Sequence, residues 1–136
     1  MSLFNVLGIS SSALTAQSQR LSATAQNIAN ADSISGPDGK GYKAKQVYFK
    51  PVEINNGGES AQGVQVSNVI ESNAKPRLEY DPHSPYANEK GFVEKSNVNV
   101  IEETTNMIST SRSYEQNIDV MKRAQEMLMR SLDIGK

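Results

Sequence analysis

The sequence predicts an α+β protein in which long N- and C-terminal α-helices pair in a coiled-coil-like hairpin, with a small β-rich insert between them. Three observations carry this. The last third, Asn99 to Ile134, runs thirty-six residues without Pro or Gly. An aliphatic residue recurs every seven positions near the N-terminus. All five prolines and six of the nine glycines fall between Asp32 and Lys90. The chain divides accordingly into an N-terminal helix over 1–31, a β-rich insert with loops and a Pro turn over 32–95, and a long C-terminal helix over 96–136.

The N-terminal repeat is Leu7, Leu14, Leu21 and Ile28, set among small residues such as Ser10, Ala13, Ala16, Ala23 and Ala25. This is a narrow helical stripe. Gly8 weakens its first turn. Within residues 1–31 the only charged side chain is Arg20, whereas a solvent-facing helix ordinarily carries charge on its outer side. An uncharged face of Ser, Thr, Gln and Asn is a surface meant to be covered, either in an assembly or in the core of a plain helical bundle. Burying four aliphatic side chains yields roughly 6–12 kcal/mol, while fixing about 25 backbone residues costs ~25–50 kcal/mol. The segment therefore needs a covering partner.

In the middle region, Ser35-Gly36-Pro37-Asp38-Gly39 is a turn or loop. Tyr42 to Phe49 reads as a strand through Val47 and Phe49, and Gly63 to Ile70 as a second, with a turn or loose loop at Asn56-Gly57-Gly58-Glu59 between them. Arg77 to Tyr80 is a third short strand. Asp81-Pro82-His83-Ser84-Pro85 is a rigid turn, because two prolines fix φ and bias their neighbours away from α. Gly91-Phe92-Val93 leads into Ser96-Asn97-Val98-Asn99, where Asn99 is the N-cap expected for the long helix.

Along that helix, alternate steps of four and three from Val100 reach Thr104, Met107, Ser111, Tyr114, Ile118, Met121, Gln125, Leu128 and Leu132, and seven of these ten positions are apolar. At 1.5 Å per residue the helix is about 54 Å long, against a radius of gyration of ~14 Å for a compact domain of this length. It must protrude. The polar Ser111 and Gln125 on the seam are the kind of interruption that fixes register or partner.

A net charge of −1 disfavours nucleic acid, which selects a basic face. No stretch is apolar enough to span a membrane, so no direct membrane insertion is expected. With no Cys, disulfides and thiolate metal sites are excluded. The single His83, beside Asp81, has no Cys partner, no nucleophile elbow and no glycine-rich phosphate loop, and the two residues alone are too few to ligate a metal. No catalytic residue, metal site or cofactor is expected.

The residues AQNIANADS at 25–33, SGPDGKGYKAKQVYF at 35–49, YDPHSPYANEKGFV at 80–93 and SNVNVIEETTNMISTSRSYEQNIDVM at 96–121 resemble the bacterial flagellar axial proteins, and within them the proximal rod group. The motif positions are Asn27, Ile28, Ala29, Asn30, Ala31, Asp32 and Ser33. The family turn usually reads Asp-Pro-x-His-Pro, and here His83 stands one place earlier. The resemblance implies a structural rod subunit of the flagellar basal body that leaves the cytoplasm unfolded through the type III export apparatus. It would then assemble in the periplasm by pairing its terminal helices, and transmit motor torque. The partners implied are neighbouring copies, other rod proteins, the export apparatus and the proteins of the junction between the MS ring and the rod. The assembly interface expected on this basis is Leu7, Leu14, Leu21 and Ile28 with Val100, Met107, Tyr114, Ile118, Met121, Leu128 and Leu132. A soluble helical-hairpin adaptor or export chaperone is the alternative, though such a finished hairpin would carry charge on the outer face of its first helix.

Overall fold

A computed structural model describes residues 3–56 and 59–136. Helix α1 spans Leu3–Ala29 and helix α2 spans Val100–Ile134; between them lie strands β1 (Lys45–Asn56), β2 (Glu59–Glu71), β3 (Arg77–Tyr80) and β4 (Phe92–Lys95). The fold is α+β as expected, but the insert is two separate two-stranded antiparallel sheets, β1–β2 and β3–β4. Gly57 and Gly58 of the expected turn lie outside the described residues.

The sequence places the end of the first strand at Phe49, whereas β1 continues through Pro51 to Asn56. Proline removes one ladder donor, but each strand of a two-stranded sheet is an edge, where that loss is tolerated. A register shift between Tyr48 and Phe49 precedes Pro51. The lead-in at Gly91-Phe92-Val93 is itself a strand, β4, closed against β3 by the double-proline turn. Gly91 takes φ +79°, and a Cβ there would stand 2.9 Å from the Tyr80 ring. Glycine is required on both counts. Its absence of side chain leaves Tyr80 and Phe92 in edge-to-face contact at 5.3 Å.

Helix α1 is sandwiched. One side packs on α2, and another on β1 and β2; the hairpin makes no packing contact with α2 among the described residues. The strand β1 runs back along α1, since Lys45 meets Asn27 near the helix end and Arg20 stacks over the Phe49 ring at 4.1 Å. Further down, the Val64 amide donates to Ser12 Oγ, 3.1 Å away. A Cβ on Gly63 would lie 2.6 Å from that same oxygen, so the bare backbone is what lets β2 sit this close to the helix. The cover that α1 needs is thus supplied on two sides by its own chain.

The core is small. The buried apolar residues are Ala16, Ala23, Ala31, Ala44, Val93, Val98 and Ala124, and no larger apolar side chain joins them among the described residues. The accessible surface is 9400 Å², whereas a compact monomer of 14.8 kDa exposes about 7000 Å².

Candidate assembly interface

The two helices are held in register by one side chain. Asn27, 1% exposed, makes all four hydrogen bonds that its amide allows. Its Oδ1 accepts from the Lys45 amide at 2.8 Å and the Tyr42 hydroxyl at 3.1 Å; its Nδ2 donates to the Lys45 carbonyl at 2.9 Å and to Glu103 Oε2 at 3.1 Å. The Lys45 N–H can only donate, which fixes the amide's orientation. Burial, then the Glu103 and Glu71 carboxylates, push the Tyr42 hydroxyl above its ordinary 10.0. One residue therefore ties the end of α1, the start of β1, the Tyr42 loop and the first turn of α2.

The four residues before α2 complete this junction. Ser96 Oγ donates to the Ala31 carbonyl at 2.6 Å. Asn97 accepts from the Ala44 amide at 2.7 Å and donates to the Ser72 and Ala74 carbonyls. Val98 packs with Ala31, Ala44 and Tyr42. Asn99 caps α2, its side chain accepting from the Ile101 and Glu102 amides, as the sequence indicates. The motif Asn27–Ser33 therefore closes α1: Asn30 Nδ2 donates to the Gln26 carbonyl, Ser33 Oγ to the Asn30 carbonyl, and Asp32 pairs with Arg77 at 3.0 Å. Ala31 is buried, Ile28 half-buried and Ala29 exposed. Sequence reasoning marked this stretch by resemblance and missed Asn27 as its centre; Gln26 and Asn30 flank it in the same turn, so no local signal singles out the buried amide.

Bringing Asn27 beside Glu103 sets α1 antiparallel to α2. With equal rise per residue, Leu3 then stands roughly level with Met127. Beyond that level no described residue of α1 lies beside α2, and Met129, Leu132 and Ile134 are 61%, 63% and 86% exposed. The long helix protrudes as its length required.

The expected interface residues distribute unevenly. Leu7, Leu14, Leu21 and Ile28 are half-buried, as are Met107, Tyr114, Ile118, Met121 and Leu128, while Val100 and Leu132 are exposed. The covered seam of α2 runs through Met107, Thr110, Tyr114, Asn117, Met121, Ala124 and Leu128, with Thr110 and Ala124 the buried positions. It shares every seventh residue with the expected seam. Between them Thr110, Asn117 and Ala124 are covered alongside the half-buried Ser111 and Ile118, while Thr104 and Gln125 lie exposed. Close approach of two helices selects small residues at the contact, which outweighs the larger apolar count of the alternative stripe. Ile101, at 80%, and Ile108 are left facing out.

The backbone amide of His83 donates to Asp81 Oδ1 at 3.2 Å in a local turn, and the residue is exposed.

A family model for flagella basal body rod proteins matches residues 7–37, and one for the C-terminal region of flagellar basal body rod FlgEFG proteins matches 89–134. These stretches contain Asn27, the Ser96–Asn99 connection and the paired helices. The flagellar basal-body rod protein FlgC of Escherichia coli O157:H7 is 47% identical over 137 residues, spanning 100% of both chains. That of Salmonella typhimurium is 45% identical over 136 residues and that of Bacillus subtilis 35% over 150, each again with 100% coverage of both chains. The chain belongs to the FlgC family of flagellar basal-body rod proteins. It is a structural protein of the flagellar basal body.

Proposed function

We propose that this chain is a subunit of the proximal rod, which leaves the cytoplasm unfolded and completes its core only on assembly. The supporting observation is the surface: 9400 Å² is about 2400 Å² more than a compact chain of this mass exposes, which is the size of a substantial protein interface. The excess is apolar along α2, where Val100, Ile101, Ile108, Val120 and Met127 face outward. Neighbouring copies and other rod proteins cover this surface, with the junction between the MS ring and the rod at one end, and the covered helices transmit torque. A small core suits export by the type III apparatus, since little tertiary structure has to be undone. The alternative of a finished soluble adaptor or chaperone conflicts with an exposed apolar helix face of this extent.

The test compares recovery in purified basal bodies with the amount exported. Leu21→Asp and Ile118→Asp each place a carboxylate on a half-buried position that neighbours would cover, at a cost of several kcal/mol once desolvated. Both variants should be exported and fail to enter the rod, while Asp38→Asn on an exposed loop enters normally. Equal incorporation of all three would remove the helices as the assembly interface.

A further inference from the structure

The outer face of α2 is apolar at both ends, and the two ends differ in charge. Its first two turns expose Ile101 beside Glu102, Glu103 being turned in to Asn27, with Arg112 the first cation beyond them. Its last four turns carry Lys122, Arg123 and Arg130 against Glu126 and Asp133, and expose Met129 and Leu132 past the level at which α1 ends. The heptad repeat makes these ends commensurate. A stagger of four heptads, 28 residues or about 42 Å, brings Ile101 of one helix level with Met129 of another, and Glu102 level with Arg130.

We propose that the protruding end of α2 docks on the first turns of α2 in a second copy of this chain, side by side and parallel, in this four-heptad stagger. Opposite charge at the two ends favours this arrangement over an unstaggered one, which would set acid against acid and base against base. The contact is heterologous: each copy offers a different surface at each end, so the contact propagates instead of closing on itself. It also accounts for the length of α2, because the overhang is what reaches the neighbour. The inference rests on the rod-subunit reading and adds a polarity and a register to it.

The absence of native Cys makes disulfide trapping specific. Full-length Ile101→Cys and Met129→Cys chains, purified separately and mixed at high protein concentration and low salt under mild oxidation, should form the mixed 101–129 dimer in preference to either homodimer. Glu102→Lys introduced into the first chain should lower the yield roughly fivefold, as should Arg130→Glu in the second, and combining the two reversed chains should restore it. Predominance of 101–101 or 129–129 dimers would overturn the stagger. No crosslink between copies, or a crosslink formed only with a different rod protein in cells, would overturn the choice of a second copy as the occupant. Such a failure, with the parent chain still recovered in basal bodies, would leave the rod-subunit reading standing.

Discussion

Asn27→Asp changes one atom at the centre of the fold and reverses its hydrogen-bonding sense. The new carboxylate still accepts from the Lys45 amide and the Tyr42 hydroxyl. It can no longer donate, so an oxygen faces the Lys45 carbonyl and the Glu103 carboxylate at distances set by the native 2.9 and 3.1 Å bonds. The Lys45 carbonyl is left without this donor at ~1–3 kcal/mol, and the half-buried Glu103 carboxylate loses its bond and gains a like charge beside it, which adds to that loss. A typical domain has only ~5–15 kcal/mol to lose. Glu103→Gln supplies the missing donor: alone it should cost under ~1 kcal/mol, and combined with Asn27→Asp it should recover at least ~1 kcal/mol of coupling energy. The pH dependence has a definite sign. In the single variant the paired carboxylates bind a proton more tightly folded than unfolded, so its deficit is present at neutral pH and shrinks on acidification. Urea unfolding of the four purified chains, followed by far-UV circular dichroism at pH 7 and pH 5, measures all of this. A deficit under ~0.5 kcal/mol for Asn27→Asp, or strict additivity with Glu103→Gln, would refute the claim that this amide holds the two helices together.

Tyr42→Phe should cost about 1 kcal/mol through the lost bond to Asn27. Since the Tyr42 pKa is raised in the fold, its contribution is intact below pH 10 and lost as the pH climbs through the folded value, so an alkaline unfolding titration should fall less steeply for the variant than for the parent. Gly63→Ala drives a methyl group against Ser12 Oγ and Ile54 Cδ1, 2.6 and 2.5 Å from the added carbon. It should lower stability by ~1–3 kcal/mol and, in hydrogen exchange, deprotect β1 and β2 more than α2. His83→Ala should leave motility unchanged, since only the backbone of that residue is used in the turn, whereas Pro82→Gly, which frees φ, should reduce it; loss of swimming from the His change alone would contradict this assignment.

Long elements were legible because each is announced by many residues at once. Periodicity and the absence of breakers located both helices, Asn99 announced its cap, and the Pro and Gly clusters bounded the insert. The misread features depend on single contacts. Pro51 reads as a strand breaker until it is known that β1 has a partner on one side only. On α2, Ile118 outscores Asn117 in hydropathy and Gln125 continues the same step pattern, while the helix against which α2 packs offers Ala and Thr, beside which Thr110 and Ala124 are the residues that bury.

The junction was illegible for a deeper reason. Asn27, Ser96 and Asn97 are polar residues whose value lies in partners up to 76 positions away, and no local pattern states who those partners are. Their chemistry nevertheless explains how a chain with so small an apolar core keeps one arrangement. Apolar burial is nearly indifferent to a helix sliding along its neighbour, whereas a buried amide with four bonds in place loses several of them on any shift. A rod subunit must leave most of its apolar surface for its neighbours, so the register of its own helices falls to polar groups. That division predicts where variation is tolerated. Leu7 or Leu14 exchanged for Met or Ile should change assembly by little, because volume-conserving apolar swaps cost under ~1.5 kcal/mol. Asn27→Leu, more apolar and of similar size, should do worse than either, since it orphans the Lys45 amide and carbonyl together. Basal-body recovery of the three variants side by side gives the ranking, and an Asn27→Leu chain that incorporates as well as Leu14→Met would mean that apolar packing alone sets the register.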